Sequence, residues 1–68
     1  MKIAITGTLS KERKYFEDLL KEHGHELGGV SKSTDYLVIG DKPGNSKLNK
    51  AKEYDIETIT EDELMELI

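Results

Sequence analysis

Sixty-eight residues leave room for one domain, residues 1–68, with a small core and no deep substrate cavity, which weighs against a free-standing enzyme. Cysteine is absent, which excludes disulfides and thiolate chemistry, no apolar run approaches the roughly 20 residues of a membrane span, and Met1 leads almost at once into a strand, so no signal peptide is expected. The net charge of −4 hides a polarity, because residues 1–52 hold all ten Lys and Arg at a net +3, whereas residues 53–68 hold seven acids and no base. Such a chain does not coat DNA with its whole surface, but it permits one local basic face.

The chain opens with a strand at 2–6, where Ile3, Ala4 and Ile5 form the apolar run of a strand covered on both faces. The spacing predicts a helix over 10–23, with Ser10 as its N-cap and with Phe16, Leu19, Leu20 and His23 on one face. Gly24 suits the left-handed residue just past the helix end. Residues 25–30 read as a short edge strand broken by Gly28-Gly29, and Tyr36-Leu37-Val38-Ile39 as a second buried strand. Asp41-Lys42-Pro43-Gly44 is a turn, in which Pro fixes φ and Gly supplies permissive backbone. A short helix follows at 46–53, burying Leu48 and Ala51, then a weaker strand at 56–59. Thr60 and Glu63 match a capping box, opening a last helix that buries Leu64 and Leu67. Tyr15 and Tyr36 are expected at the edge of the core.

The alternation β-α-β-β-α-β-α predicts an α/β fold with a four-stranded parallel sheet. Placing the two apolar strands centrally gives the order 2-1-3-4. Right-handed crossovers then put helices 1 and 3 on one face and helix 2 on the other. The winding reverses between strands 1 and 3, and ligands of open α/β sheets bind at that switch, beyond the carboxyl ends of the strands. Those ends are Thr6-Gly7 and Gly40.

Five residues can meet there. Thr6 offers a hydroxyl, Gly7 a backbone N–H with no side chain in the way, Arg13 a planar fork and Lys47 a charged amine, while Lys42 adds attraction. Helix N-termini at this position favour a phosphate. Each residue also has a plain structural explanation: Gly7 a tight turn, Thr6 a cap, Arg13 and Lys47 solvated helix positions. Lys47, however, lies in a first turn, where the helix dipole disfavours a cation. The long Gly-rich spacing of a Walker loop is missing, so nucleotide hydrolysis is not expected. His23 and His25 read as surface residues, and no spacing suits a metal or a cofactor.

The stretches Ile5-Thr6-Gly7-Thr8-Leu9, Gly29-Val30-Ser31-Lys32-Ser33-Thr34-Asp35-Tyr36-Leu37-Val38 and Gly44-Asn45-Ser46-Lys47-Leu48-Asn49-Lys50-Ala51 carry a family resemblance. Together they resemble a BRCT domain, of the kind found at the C-terminal end of bacterial NAD-dependent DNA ligases and in the large subunit of replication factor C. The resemblance implies that Thr6, Gly7 and Lys47 hold a phosphate, from a phosphoserine or a DNA 5′ end, and that Arg13 assists as in the replication factor C type. The chain departs from the family in three places: Gly24-His25 replaces the usual Gly-Gly, Leu64 replaces the common tryptophan, and the last helix stops at Ile68. Phosphopeptide readers of the family usually pair two such domains, so one alone favours DNA ends or protein association. The resulting expectation is a non-catalytic phosphate-recognition module of DNA repair or replication in the cytoplasm, nucleoid-associated if bacterial. Its partners are DNA with 5′-phosphate ends, or phosphorylated protein and other repair proteins. The alternative is a protein–protein or self-association module, homodimeric in the simplest case, with a vestigial pocket.

Overall fold

The computed structural model describes residues 1–68. In chain order the elements are β1 (Lys2–Thr6), α1 (Arg13–Glu22), β2 (Glu26–Leu27), β3 (Tyr36–Ile39), α2 (Asn45–Glu53), β4 (Glu57–Ile59) and α3 (Glu61–Leu67). All pairings are parallel and the sheet order is β2-β1-β3-β4, as the apolar strands predict. At the centre Ile3 lies opposite Tyr36, Ala4 opposite Leu37, Ile5 opposite Val38 and Thr6 opposite Ile39.

Successive strand residues face opposite sides, so each central strand serves two cores. Ile3, Ile5 and Val38 join Phe16 and Leu20 of α1, Leu64 of α3 and Ile59 on one face. Ala4 and Leu37 meet Ala51 of α2 and Ile56 on the other. This places α1 and α3 together and α2 opposite them. A strand sandwiched in this way cannot alternate polar residues, which is why β1 and β3 read as continuous apolar runs.

The ends of several elements differ from expectation. The first helix begins at Arg13 rather than at residue 10, with Glu12 as an N-cap that makes no side-chain bond. Ser10 is not its cap, because both its N–H and its hydroxyl bind the Glu61 carboxylate. The second strand shrinks to Glu26–Leu27, since Gly28 and Gly29 offer no side chains to pack. Gly24 does take the left-handed conformation, at φ 81°. In the turn before α2 it is Lys42, not Gly44, that adopts positive φ, at 51°, while Gly44 has an ordinary φ of −77°. The capping box of Thr60 and Glu63 is fully formed. Thr34 is buried, accepting from Ser31 N–H and donating to the Gly29 carbonyl, and so holds the turn before β3.

The core is smaller than expected. Leu19, Ile39 and Leu48 are only half-buried, and Leu67 is 39% exposed. On α3 it is Leu64 and the half-buried Ile68 just past its end, four residues apart, that pack on the core, which leaves Leu67 off the buried face. Ala4 is buried, as a strand covered on both faces requires, and Ile56 is buried as well. Tyr15 is 46% exposed and meets Phe16 edge to face, whereas Tyr36 packs on the α1 side of the core.

Candidate functional site

The β1–α1 and β3–α2 loops leave the sheet side by side and are stitched together. Thr8 and Asp41 exchange two backbone hydrogen bonds, at 2.9 and 2.8 Å, and Gly40 N–H donates to the Thr6 carbonyl at 2.8 Å. This close approach explains both glycines. Gly7 has φ 82°, and a Cβ there would sit 2.7 Å from the Asp41 carbonyl oxygen. A Cβ on Gly40 would sit 2.5 Å from the Thr8 carbonyl oxygen. Gly7 is therefore required by the fold whatever else it does.

A recess of about 270 Å³ opens beside this stitch. Gly7, Arg13 and Lys47 line it, with Ile5, Leu9 and Phe16 as its apolar part. Thr6 does not line it: it is buried on the α2 side, where its hydroxyl accepts from Gly44 N–H at 3.2 Å. That bond uses the hydroxyl as an acceptor and leaves its proton available to donate. Lys47 Nζ donates to the Ile5 carbonyl oxygen at 3.0 Å, which leaves two of its three donors. Lys42 is exposed on the β3–α2 loop and lies outside the recess. Lys11, not singled out in the sequence, lines the recess together with Glu12, so three cations face one carboxylate. Lys11 lies two residues before the first helix, and counting bases across that loop would have found it.

The three helix N-termini are treated differently. Those of α1 and α2 meet at the switch between β1 and β3, have no side-chain cap bond and carry no acid in their first turn. That of α3 has a complete capping box, and Glu61, Asp62 and Glu63 fill its first turn. Three acids thus offset the dipole at α3, whereas Glu12 alone, the N-cap of α1, stands against three cations at the recess.

A doubly wound α/β domain with its recess at the topological switch is the class that this fold and site define. The chain belongs to the BRCT family, and the BRCA1 C Terminus (BRCT) domain description matches it over residues 1–68. It is 45% identical over 65 residues to the DNA ligase of Mesoplasma florum, and 52% identical over 66 residues to that of Prochlorococcus marinus. The DNA ligase of Haloferax volcanii is 42% identical over 65 residues. Each match covers 94% of this chain but only 9–10% of the ligase, so the chain spans about a tenth of the length of these relatives. No helix is long and apolar enough to cross a membrane.

Proposed function

We propose that this chain is a non-catalytic phosphate-recognition module of DNA repair or replication, and that it binds DNA at 5′-phosphorylated ends. The carrying observation is the pair of helix N-termini, with no side-chain cap bond and no acid in the first turn, that meet beside a recess lined by three cations, Lys11, Arg13 and Lys47, and one carboxylate, Glu12. Backbone N–H groups and a dipole end favour a doubly charged phosphate there. Lys42, exposed on the β3–α2 loop, adds long-range attraction. Similarity to DNA ligases supports DNA as the source of the phosphate and the cytoplasm as the setting. Titration with one DNA duplex, with and without its 5′-phosphate, tests this. Tighter binding of the phosphorylated duplex is expected, and equal binding overturns end recognition.

A second reading has its own observation. The Thr6 hydroxyl and Lys47 Nζ each already have a partner within the fold, Gly44 N–H and the Ile5 carbonyl. Both residues are then explained without a ligand, as in a protein–protein or self-association module with a vestigial pocket. A dimeric mass on gel filtration, with no preference for phosphorylated DNA or phosphopeptide, is the result that would establish it.

A further inference from the structure

Between the Thr8–Asp41 stitch and the first turn of α1, the backbone of Leu9, Ser10 and Lys11 makes one hydrogen bond. Ser10 N–H donates to Glu61 Oε1 at 2.7 Å, and the Ser10 hydroxyl donates to Oε2 of the same carboxylate at 2.5 Å. Glu61 belongs to α3, fifty-one residues further along the chain. The loop that it grips supplies Gly7, Thr8, Leu9, Lys11 and Glu12 to the recess and leads into Arg13. Apart from this grip, only the half-buried Leu9 side chain, packed on the core, holds the middle of the loop.

Resting on the phosphate reading above, we propose that Glu61 is a positioning residue: its bidentate grip on Ser10 holds the β1–α1 loop in the arrangement that forms the recess. Glu61 does not line the recess. As an anion on the same face of the sheet, it opposes a bound phosphate through space. Its service to binding is therefore geometric and runs against its charge. A loop fixed before binding does not have to be ordered at the moment of binding.

The opposition of geometry and charge makes the test discriminating. Amide exchange by NMR and affinity for the 5′-phosphorylated duplex are measured for the wild-type chain, Glu61→Ala, Glu61→Gln and Ser10→Ala. In Glu61→Ala the Ser10 amide should exchange about tenfold faster or more, as expected when a bond to a charged group is lost, while β1 and β3 amides keep their protection. Affinity should fall about three- to tenfold, the cost of ordering a loop on binding. Gln can accept from the Ser10 N–H and donate to its hydroxyl, so Glu61→Gln should bind as tightly as wild type or more so. Ser10→Ala leaves the capping box of α3 intact and should fall in between, which keeps the test decisive if Glu61→Ala does not fold. Unchanged loop exchange in Glu61→Ala overturns the proposal. So does equal tightening in Glu61→Ala and Glu61→Gln, which would make Glu61 a nearby charge only. A wild-type chain indifferent to the 5′-phosphate refutes the phosphate reading, and loop exchange still decides the grip.

Discussion

Lys47 Nζ donates to the main-chain carbonyl of Ile5, 42 residues away, at 3.0 Å. A lysine in the first turn of a helix is unfavourable to the dipole, and this bond supplies the compensation that the sequence does not show. Lys47→Glu relieves the dipole conflict but forfeits the bond, for a net loss of about 1 kcal/mol. The domain should remain folded, by urea denaturation, and lose its preference for phosphorylated DNA. Retained preference would remove Lys47 from the site.

Lys11, Arg13 and Lys47 allow two or three phosphate contacts. The slope of log affinity on log salt for duplex DNA should then be about −2 to −3. A much steeper slope would mean a broad basic groove elsewhere on the molecule.

Gly7→Ala should be costly without any ligand. It places a Cβ against the Asp41 carbonyl and forces a left-handed alanine. The expected loss is about 2–4 kcal/mol in urea denaturation, from conformational strain and overpacking together. A loss under about 1 kcal/mol would show that the two loops separate easily.

Leu37 and Leu67 make a controlled pair, fully buried and 39% exposed respectively. Leu37→Ala should cost about 2–5 kcal/mol, enough to unfold so small a domain. Leu67→Ala should cost under about 1 kcal/mol, as a surface substitution does. Thermal midpoints of the two variants give the comparison directly.

The Glu61 carboxyl titrates below its ordinary value of 4.5, chiefly through the Ser10 hydroxyl, then through the Ser10 N–H, with Lys11 adding a smaller attraction. A carboxyl depressed in the folded state contributes stability that is fully present above pH 4.5 and lost as pH falls through its folded value. Ser10→Ala removes the largest cause of the depression. Its urea midpoint should lie below that of wild type at neutral pH and converge on it in acid, as pH falls below 4.5 and the Glu61 carboxyl protonates. A gap that is constant with pH would detach Ser10 from the titration.

Elements that depend on neighbouring residues were legible in the sequence. The strand Tyr36–Ile39 and the Thr60–Glu63 box appear where the pattern puts them. The sheet order follows from which strands are apolar throughout. Ser10 misled because a good cap residue was claimed by a partner on a distant helix, which no local pattern encodes. Leu67 misleads because two apolar spacings from Leu64, to Leu67 and to Ile68, are both helical, and the core takes the second. Ile56 fits the end of a strand by pattern, yet it lies just before β4, buried with Ala4, Leu37 and Ala51 under α2. At the recess, Gly7, Arg13 and Lys47 come together as the topology predicts, whereas Thr6 turns toward α2 and Lys42 stays outside.

The pairing of β1 with β3 sets the order in which this domain can acquire structure. Ile3 waits for Tyr36, and between them the chain offers only the two-residue β2 as a partner. Parallel pairing over such a separation must meet the entropy of closing the intervening loop before the core rewards it. A nascent chain ending before Tyr36 has Ile3, Ile5, Phe16 and Leu20 of one apolar layer, only Ala4 of the other and no central pair, so this N-terminal part has no stable fold of its own during synthesis. The domain should therefore form as one cooperative event, with β1 exposed until β3 arrives.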